Sequence, residues 1–369
     1  MREIVIVVAD LYLPAEEMSA ARSAPLSREP GSGSGTTLPG LDRIARFGDV
    51  EQLTHGWRPW LAQWIGRGDV LEQATAASVA AIGARVGAGA GVGMSVGQAA
   101  GASVGQAVPW LATPLHLAAG LTTLHFDRRS ILFLPRAQLA ELALDFQRSF
   151  GDSDRQLLPL DSGDFLLFQP AIPPVLTTEP TMLARVDLAA SLPKGVGAVA
   201  LRRLGGEIEM WLHEHPVNRA RAHRGELPVS TLWLWGGGEP AHEPTQAGRD
   251  PPTIMATGSD PYLRGLLRLC GGETQPLPEQ SEAPFGYSRS RSSVTVVEVG
   301  RMLSTDSHWA DVDALAELDR RFVAPAVQAL LRREVERVSL VANDRRLLLT
   351  ARDGLRFWRR PRPGLEALR

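Results

Sequence analysis

Short apolar runs that alternate with amphipathic segments are the feature that most restricts the fold of this chain. The first run lies between Met1 and Asp10 and is expected to be a buried strand. The last third of the chain continues the pattern, with strands expected at Thr231–Trp235, Ser293–Val299 and Arg337–Val341 and helices expected at 261–270 and 311–333. Strands that are apolar throughout are typical of a parallel sheet covered by helices on both faces. The sequence therefore predicts an α/β fold with a doubly wound, mainly parallel sheet.

The middle of the chain follows a different order, with strands and one helix in close succession. Strands are expected at Leu121–Phe126, Ile131–Leu134 and Asp164–Phe168, and an amphipathic helix at Gln138–Phe150. This order indicates a smaller α+β domain inserted into the sheet domain. The expected organisation is a first part of the sheet domain over 1–115, the inserted domain over 116–229, and the second part of the sheet domain over 230–369.

Two segments are rich in small residues. Residues 23–40 are rich in Ser, Pro and Gly and are expected to form a flexible loop. The glycine spacing in this loop fits neither a P-loop nor a dinucleotide fingerprint, so a plain linker is favoured over a phosphate-binding loop. A Gly- and Ala-rich tract begins at Ala74 and runs to Gly105, and the overlapping range 83–108 is likewise rich in Gly and Ala. Small side chains allow either close helix packing or looseness, and the sequence leaves both open.

The charge balance argues against polyanionic partners. Lys and Arg number 39 against 41 Asp and Glu, which gives a formal net charge of -2 and no global attraction for nucleic acid or an anionic membrane. The C-terminal segment 352–369 interleaves arginines with Phe357 and Trp358, a pattern that can bind single strands. A solvated tail is favoured there, because the whole chain is not basic. The balanced charge therefore predicts no nucleic-acid partner. The apolar runs are too short for a membrane span, so no membrane partner is expected either.

The supply of reactive side chains limits the possible chemistry. Cys270 is the single cysteine, which excludes an intrachain disulfide and fits a reducing cytoplasm. Lys194 is the single lysine, so lysine-based covalent catalysis is almost excluded, since arginine stays protonated. The chain has 8 histidines, and none of them follows His308. Metal or acid–base chemistry that needs imidazole must therefore use positions up to His308.

One stretch carries a specific motif. It reads His215-Pro-Val-Asn-Arg-Ala-Arg-Ala-His-Arg-Gly225, followed by Leu227-Pro-Val-Ser-Thr-Leu-Trp-Leu-Trp-Gly-Gly-Gly238. This stretch resembles the archaeal-type cofactor-independent phosphoglycerate mutases, a family of the alkaline phosphatase superfamily. Weaker similarity extends to Thr37–Arg43, Pro114–Leu121 and Ser304–Asp311. A degenerate group of proteobacterial mutase-like proteins, including regulatory proteins of the Rpf type, is the most similar part of this set.

The resemblance implies an alkaline-phosphatase-like sheet domain with a second domain inserted. It also implies two divalent metals, held by Asp and His ligands, beside a Ser nucleophile that takes the phosphoryl group. Four residues stand at or near positions of this metal site and are the candidate metal ligands: Asp10, Asp306, His308 and Asp344. Because ligands of such sheets bind beyond the carboxyl ends of the strands, these residues are expected to converge with the turn at Gly236.

The rest of the implied catalytic site is absent from the sequence. No Gly-Ser-Asp nucleophile segment precedes Pro114, and the one such triplet, Gly258-Ser-Asp260, lies elsewhere. The late Asp-His pair is replaced by Asn343-Asp-Arg345, and a guanidinium cannot ligate a cation. No catalytic residue is therefore assigned and no cofactor is expected. The four candidate ligands could still hold a single Mn²⁺ or Mg²⁺ weakly, although Asp10 and Asp344 acting as backbone caps at the sheet end is the favoured interpretation.

A second candidate site would bind an anion rather than a metal. Its candidate residues combine an imidazole, an amide, a guanidinium and a glycine turn: His215, Asn218, Arg219, Gly236, Gly237 and Gly238. Together with Arg221 and Arg224, these residues would form a basic rim for a phosphorylated or carboxylate ligand. For His215 and Asn218 the alternative is that they shape the exit of a helix, and this alternative is favoured. For the three glycines, a tight turn without ligand binding and a close approach to a ligand are equally open.

These observations predict a mutase-like protein that has lost phosphoryl transfer and acts in binding or regulation. Its partner would be an unknown protein or an anionic small molecule. Two alternatives stay open: an active metal-dependent phosphoglycerate mutase or phosphatase with a rearranged site, and a sensor of an anionic metabolite.

Overall fold

The fold is taken from a computed structural model. It describes residues 2–9, 38–87, 107–119, 124–125, 130–151, 154–183, 188–238, 254–277, 292–297, 311–342 and 344–353. Outside these ranges lie residues 23–37 of the expected loop, residues 88–106 of the Gly- and Ala-rich tract and the segment from residue 354 onwards. The last two residues of the expected loop, Pro39 and Gly40, do not form a loop but begin a helix.

The described strands are β1 Glu3–Val8, β2 Asp49–Gln52, β3 Ala107–Leu115, β4 Ala118–Ala119, β5 Leu124–His125, β6 Gln156–Pro159, β7 Phe165–Pro170, β8 Thr231–Trp235, β9 Ile254–Thr257, β10 Thr274–Gln275, β11 Ser292–Val297, β12 Arg337–Ala342 and β13 Arg345–Thr350. The described helices are α1 Pro39–Phe47, α2 Trp57–Trp64, α3 Val70–Gln73, α4 Ala76–Gly87, α5 Arg136–Phe150, α6 Pro180–Leu183, α7 Leu188–Ser191, α8 Ala198–His213, α9 Pro216–His223, α10 Pro261–Arg268, α11 Asp311–Leu318 and α12 Ala324–Leu331. None of these helices has the length and apolar content that a membrane span requires.

The chain divides into two compact units. Unit 1 comprises Met1–Leu61, Thr253–Gly258 and Thr274–Arg369. Unit 2 comprises Ala62–Pro252 and Ser259–Glu273. Each unit contains its own sheet.

Unit 1 contains a seven-stranded sheet in the order β10-β9-β11-β1-β12-β13-β2. The strands from β10 to β12 are parallel. At one side, β13 pairs antiparallel with β12, and β2 pairs antiparallel with β13. All six residues of β1 are buried, as the continuous apolar run predicts. Ile4, Ile6 and Val8 share one apolar cluster with buried residues of α1 and α12. The predicted α/β class with a mainly parallel sheet is confirmed.

A buried carboxylate fixes the start of α1 in unit 1. Asp319 lies in a single π-helical turn, Asp319–Val323, between α11 and α12. Its oxygens accept hydrogen bonds from the backbone N–H groups of Gly40 (3.1 Å) and Leu41 (2.6 Å), two of the donors that a helix start leaves without partners. Burial raises the pKa of Asp319, and these two hydrogen bonds act against that shift. A side chain distant in sequence thus caps α1.

Unit 2 contains a four-stranded antiparallel sheet in the order β6-β7-β3-β8. The prediction that Thr231–Trp235 belongs to the parallel sheet is wrong, because this strand, β8, pairs antiparallel with β3. Alternate side chains of β8 are buried on the two faces of the sheet. Leu232 and Leu234 pack in the apolar cluster with α5 and α8, whereas Trp233 and Trp235 pack in the cluster with α4. A strand covered on both faces is apolar throughout in either kind of sheet, so the sequence pattern did not separate the two.

The helices α4 and α10 of unit 2 cross with their backbones in contact. A Cβ atom added to Gly83 would lie 2.7 Å from the backbone nitrogen of Gly265, and one added to Gly265 would overlap the carbonyl oxygen of Val79. The open question about the Gly- and Ala-rich tract is therefore answered for residues 76–84. There the small side chains permit close helix packing.

Candidate functional site

Only one of the four predicted metal ligands falls within the described ranges. Asp10, Asp306 and His308 lie outside them, so the expected convergence of the four residues stays a prediction. Asp344 is a turn residue between β12 and β13, where Ala342 pairs with Arg345. The carbonyl oxygen of Asp344 accepts a hydrogen bond from the backbone N–H of Leu53 (2.5 Å). In the described part of unit 1, Asp344 therefore has a place in a tight turn.

The donor set around Asp344 does not fit a metal centre within the described residues. No group of three or more His, Cys, Asp or Glu side chains suited to a metal occurs among them. The next residue, Arg345, starts β13 and carries a cation where the family resemblance requires an imidazole. The divalent cation predicted for the four ligands therefore stays a prediction that depends on residues outside these ranges.

A polar cluster that the sequence did not predict crosses four neighbouring strands of unit 1. Ser339 Oγ donates to Glu3 Oε1 (2.5 Å) and accepts from Arg346 Nε (3.0 Å). The same guanidinium lies 3.2 Å from Glu3 Oε1 and 3.0 Å from Glu51 Oε2, and it stacks 5.1 Å from the ring centre of Trp60. Glu3 is the first residue of β1 and stands directly before the apolar run, where no pattern in the sequence marks it. The one guanidinium bridges the two carboxylates, and the cluster joins β1, β12, β13 and β2.

The histidine of the specific motif caps a helix in unit 2. His215 precedes α9, and its Nδ1 accepts a hydrogen bond from the backbone N–H of Val217 (3.2 Å). An accepting Nδ1 carries no proton, so the neutral ring has its proton on Nε2. Nε2 lies 3.3 Å from Asp145 Oδ2, although without the geometry of a hydrogen bond. The ring is 3% exposed and packs edge-on against Trp211, with the ring centres 4.7 Å apart.

His215 is expected to make unit 2 less stable in mild acid. Burial lowers its pKa below the ordinary value, Asp145 and Glu141 offset this in part, and Arg219 adds to the lowering. The unfolded chain therefore binds this proton more readily than the folded one, so stability is complete above the unfolded pKa of about 6.5 and declines as the pH falls below it. His215→Asn keeps an N-cap acceptor but cannot titrate. Urea midpoints measured at neutral and mildly acidic pH should fall more for the wild type, and equal changes in the two proteins would contradict this role.

Asn218 is fully engaged by the backbone of unit 2. Its Nδ2 donates to the carbonyl oxygens of Leu212 (2.7 Å) and Val229 (2.8 Å), and its Oδ1 accepts from the N–H of Val229 (2.8 Å). The side chain therefore joins the end of α8 to the segment that enters β8. These bonds support the interpretation that His215 and Asn218 shape the helix exit.

The expected basic rim is divided by the fold. Arg221 is 6% exposed and donates from Nε to the carbonyl oxygen of Leu227 (2.7 Å) and from Nη1 to Gln138 Oε1 (2.8 Å). Arg224 is exposed and makes two hydrogen bonds to Glu226. Arg219 is exposed on α9. The prediction that Arg221 belongs to a surface rim is therefore wrong, because this side chain is buried and hydrogen-bonded inside unit 2.

The three glycines form a tight and closely packed turn after β8. Gly236 has a φ of 60° and Gly238 a φ of 156°, both in the range that favours glycine. A Cβ atom on Gly237 would overlap the ring of Trp110, so the indole lies directly on this backbone. Gly236 also donates to Thr177 Oγ1 (3.0 Å) and accepts from the N–H of Ala77 (2.9 Å). These contacts explain the glycines by packing, and their role in ligand binding stays a prediction.

Comparisons with known proteins identify phosphoglycerate mutases as similar proteins. No family model matches the chain. A probable 2,3-bisphosphoglycerate-independent phosphoglycerate mutase from Geobacter sulfurreducens is 42% identical over 48 residues, which is 13% of this chain and 12% of that protein.

Two solved structures are also similar. A cofactor-independent phosphoglycerate mutase from Thermoplasma acidophilum has a TM-score of 0.34 and 13% identity, over 95% of this chain and 90% of that chain. The PH0037 protein from Pyrococcus horikoshii has a TM-score of 0.44 and 11% identity, over 95% of this chain and 87% of that chain. The sequence match to the Geobacter protein covers only 12% of the length of that protein.

Proposed function

We propose that this chain is a phosphoglycerate-mutase-like protein of the alkaline phosphatase type that does not transfer phosphoryl groups and acts in binding or regulation. The observation that carries the proposal is the β12–β13 hairpin. Its turn contains Asp344, and the next position, where the resemblance requires a metal-binding histidine, is Arg345 at the start of β13. A permanent cation at that position opposes a divalent metal beside it.

The contacts of the His215 to Asn218 motif support the same proposal. The imidazole caps α9 and the amide bonds three backbone groups, so both side chains are occupied by interactions within unit 2. A motif of this kind can be retained because it stabilises the fold, without any contact to a substrate. The proposed binding partner is a protein or an anionic small molecule.

Purified protein supplied with Mn²⁺ or Mg²⁺ is expected to show no interconversion of 2- and 3-phosphoglycerate above the rate without protein. The physical reason is the missing nucleophile segment together with the arginine at position 345. A coupled mutase assay, run beside a measurement of metal content, tests this directly. Turnover that Asp344→Asn abolishes and that the matched change Asp49→Asn, on the exposed strand β2, leaves intact would overturn the proposal.

A further inference from the structure

The solvent-facing side of α8 carries apolar side chains. Val199 and Met210 are each 70% exposed, and Val196, just before the helix, is 82% exposed. The buried leucines and isoleucine of α8 lie on its other side. At 3.6 residues per turn, Val199, Gly206 and Met210 fall within one narrow sector of the helix, opposite the buried side. An apolar stripe with a polar rim is typical of an interaction surface.

Gly206 lies at the middle of this stripe, whereas Gly205, about 100° around the helix, lies at the edge of the buried side. A Cβ atom added to Gly205 or Gly206 would meet no atom within 4 Å. Glycine inside a helix is destabilising relative to alanine, and packing within the described part of unit 2 gives no reason for the pair. A second helix crossing on this face gives a reason for Gly206, because helices approach closely where no side chain stands between them.

The charges along the stripe change sign at the glycine pair. Arg202 lies three residues before Gly205, and Glu209 lies three residues after Gly206; both are exposed. Arg203 and Glu207 repeat this order on the other flank and form an ion pair of 3.0 Å within the helix. A lipid surface of uniform charge would be attracted to one half and repelled by the other, whereas an antiparallel copy of the same helix matches both halves.

We propose that this face binds a second copy of this chain, with the two α8 helices crossing antiparallel about a twofold axis at the Gly205–Gly206 pair. The symmetry places Arg202 opposite Glu209 of the partner subunit, and it does so twice in each dimer. It also brings Val199 near Met210 of the partner subunit, which covers the exposed apolar side chains. This inference does not depend on the proposed loss of phosphoryl transfer.

Sedimentation equilibrium of the full chain, from about 1 to about 100 μM, should show a monomer–dimer equilibrium. Arg202→Glu and Glu209→Arg should each raise the dimer dissociation constant about tenfold or more, because each single reversal opposes two like-charged pairs. The double variant should regain most of the affinity, since it restores both pairs with their signs exchanged. Arg352→Glu, a charge reversal at an exposed turn of unit 1, is the matched control and should leave the constant unchanged.

Circular dichroism should show equal helix content in all variants, because both reversed residues are exposed. A monomer over the whole concentration range would overturn the proposal. A dimer that neither single reversal weakens would also overturn it, since that dimer would use another face. Weakening by both single reversals without recovery in the double variant would contradict the antiparallel pairing of Arg202 with Glu209.

Discussion

Gly265→Ala should destabilise unit 2 by about 3 kcal/mol or more, the upper range for forcing extra atoms into a packed interior. The added Cβ would overlap the carbonyl oxygen of Val79 on α4, and it would also lie 3.0 Å from Val79 Cγ1. A backbone carbonyl cannot rotate away as a flexible side chain does, so α4 and α10 must separate. Each apolar residue at their contact then loses burial. Urea unfolding followed by tryptophan fluorescence should show a much lower midpoint.

Gly68→Ala is the matched control for this change. A Cβ on Gly68 would make an ordinary contact of 3.7 Å with Gln63 Cγ, and the backbone of Gly68 does not have a positive φ. Its effect should stay within about 0.5 kcal/mol. If Gly265→Ala matched this control, the close crossing of α4 and α10 would be wrong.

The sequence predicts individual helices and strands of this fold better than it predicts which elements pack against each other. The apolar run of β1 and the helical spacing of α5 are local patterns, and both elements form where they were expected. β8 was predicted as a strand but assigned to the other sheet, because the choice of neighbour depends on residues far along the chain. The close packing at Gly265 could not be predicted for the same reason, since nothing near Gly265 in the sequence indicates that Val79 lies against it.

The candidate site shows the same limit for polar residues. The motif that begins at His215 is visible in the sequence, and its favoured interpretation is that His215 and Asn218 shape the exit of a helix. The sequence does not predict that Arg221 is buried against Leu227 and Gln138, because these partners lie 6 and 83 positions away. Asp319, which caps a helix 278 positions away at Leu41, gave no local signal either. Local patterns therefore identify which residues matter more readily than the partners they bind.

Asn218→Asp should cost unit 2 about 3 to 5 kcal/mol at neutral pH, the range for a buried group left with unsuitable partners. The change keeps the shape of the side chain but replaces the Nδ2 donor by an oxygen. That oxygen would face the carbonyl oxygens of Leu212 and Val229, which lie 2.7 and 2.8 Å from the present amide nitrogen. Three acceptors would then meet without a hydrogen atom between them. Denaturant unfolding, compared with Gln63→Glu on the exposed side of α2 as a control for added charge, measures the loss.

The pH dependence of Asn218→Asp separates a structural role from a ligand-binding one. A carboxyl group in this place gains a favourable bond only when it is protonated, so its folded pKa must lie above its unfolded value of about 3.9. The folded variant then binds the proton more tightly than the unfolded chain, and its deficit relative to the wild type should shrink as the pH falls towards that value. A deficit that stayed constant with pH would contradict the carbonyl contacts of Asn218. A variant as stable as the wild type would instead leave ligand binding as the better explanation of the motif.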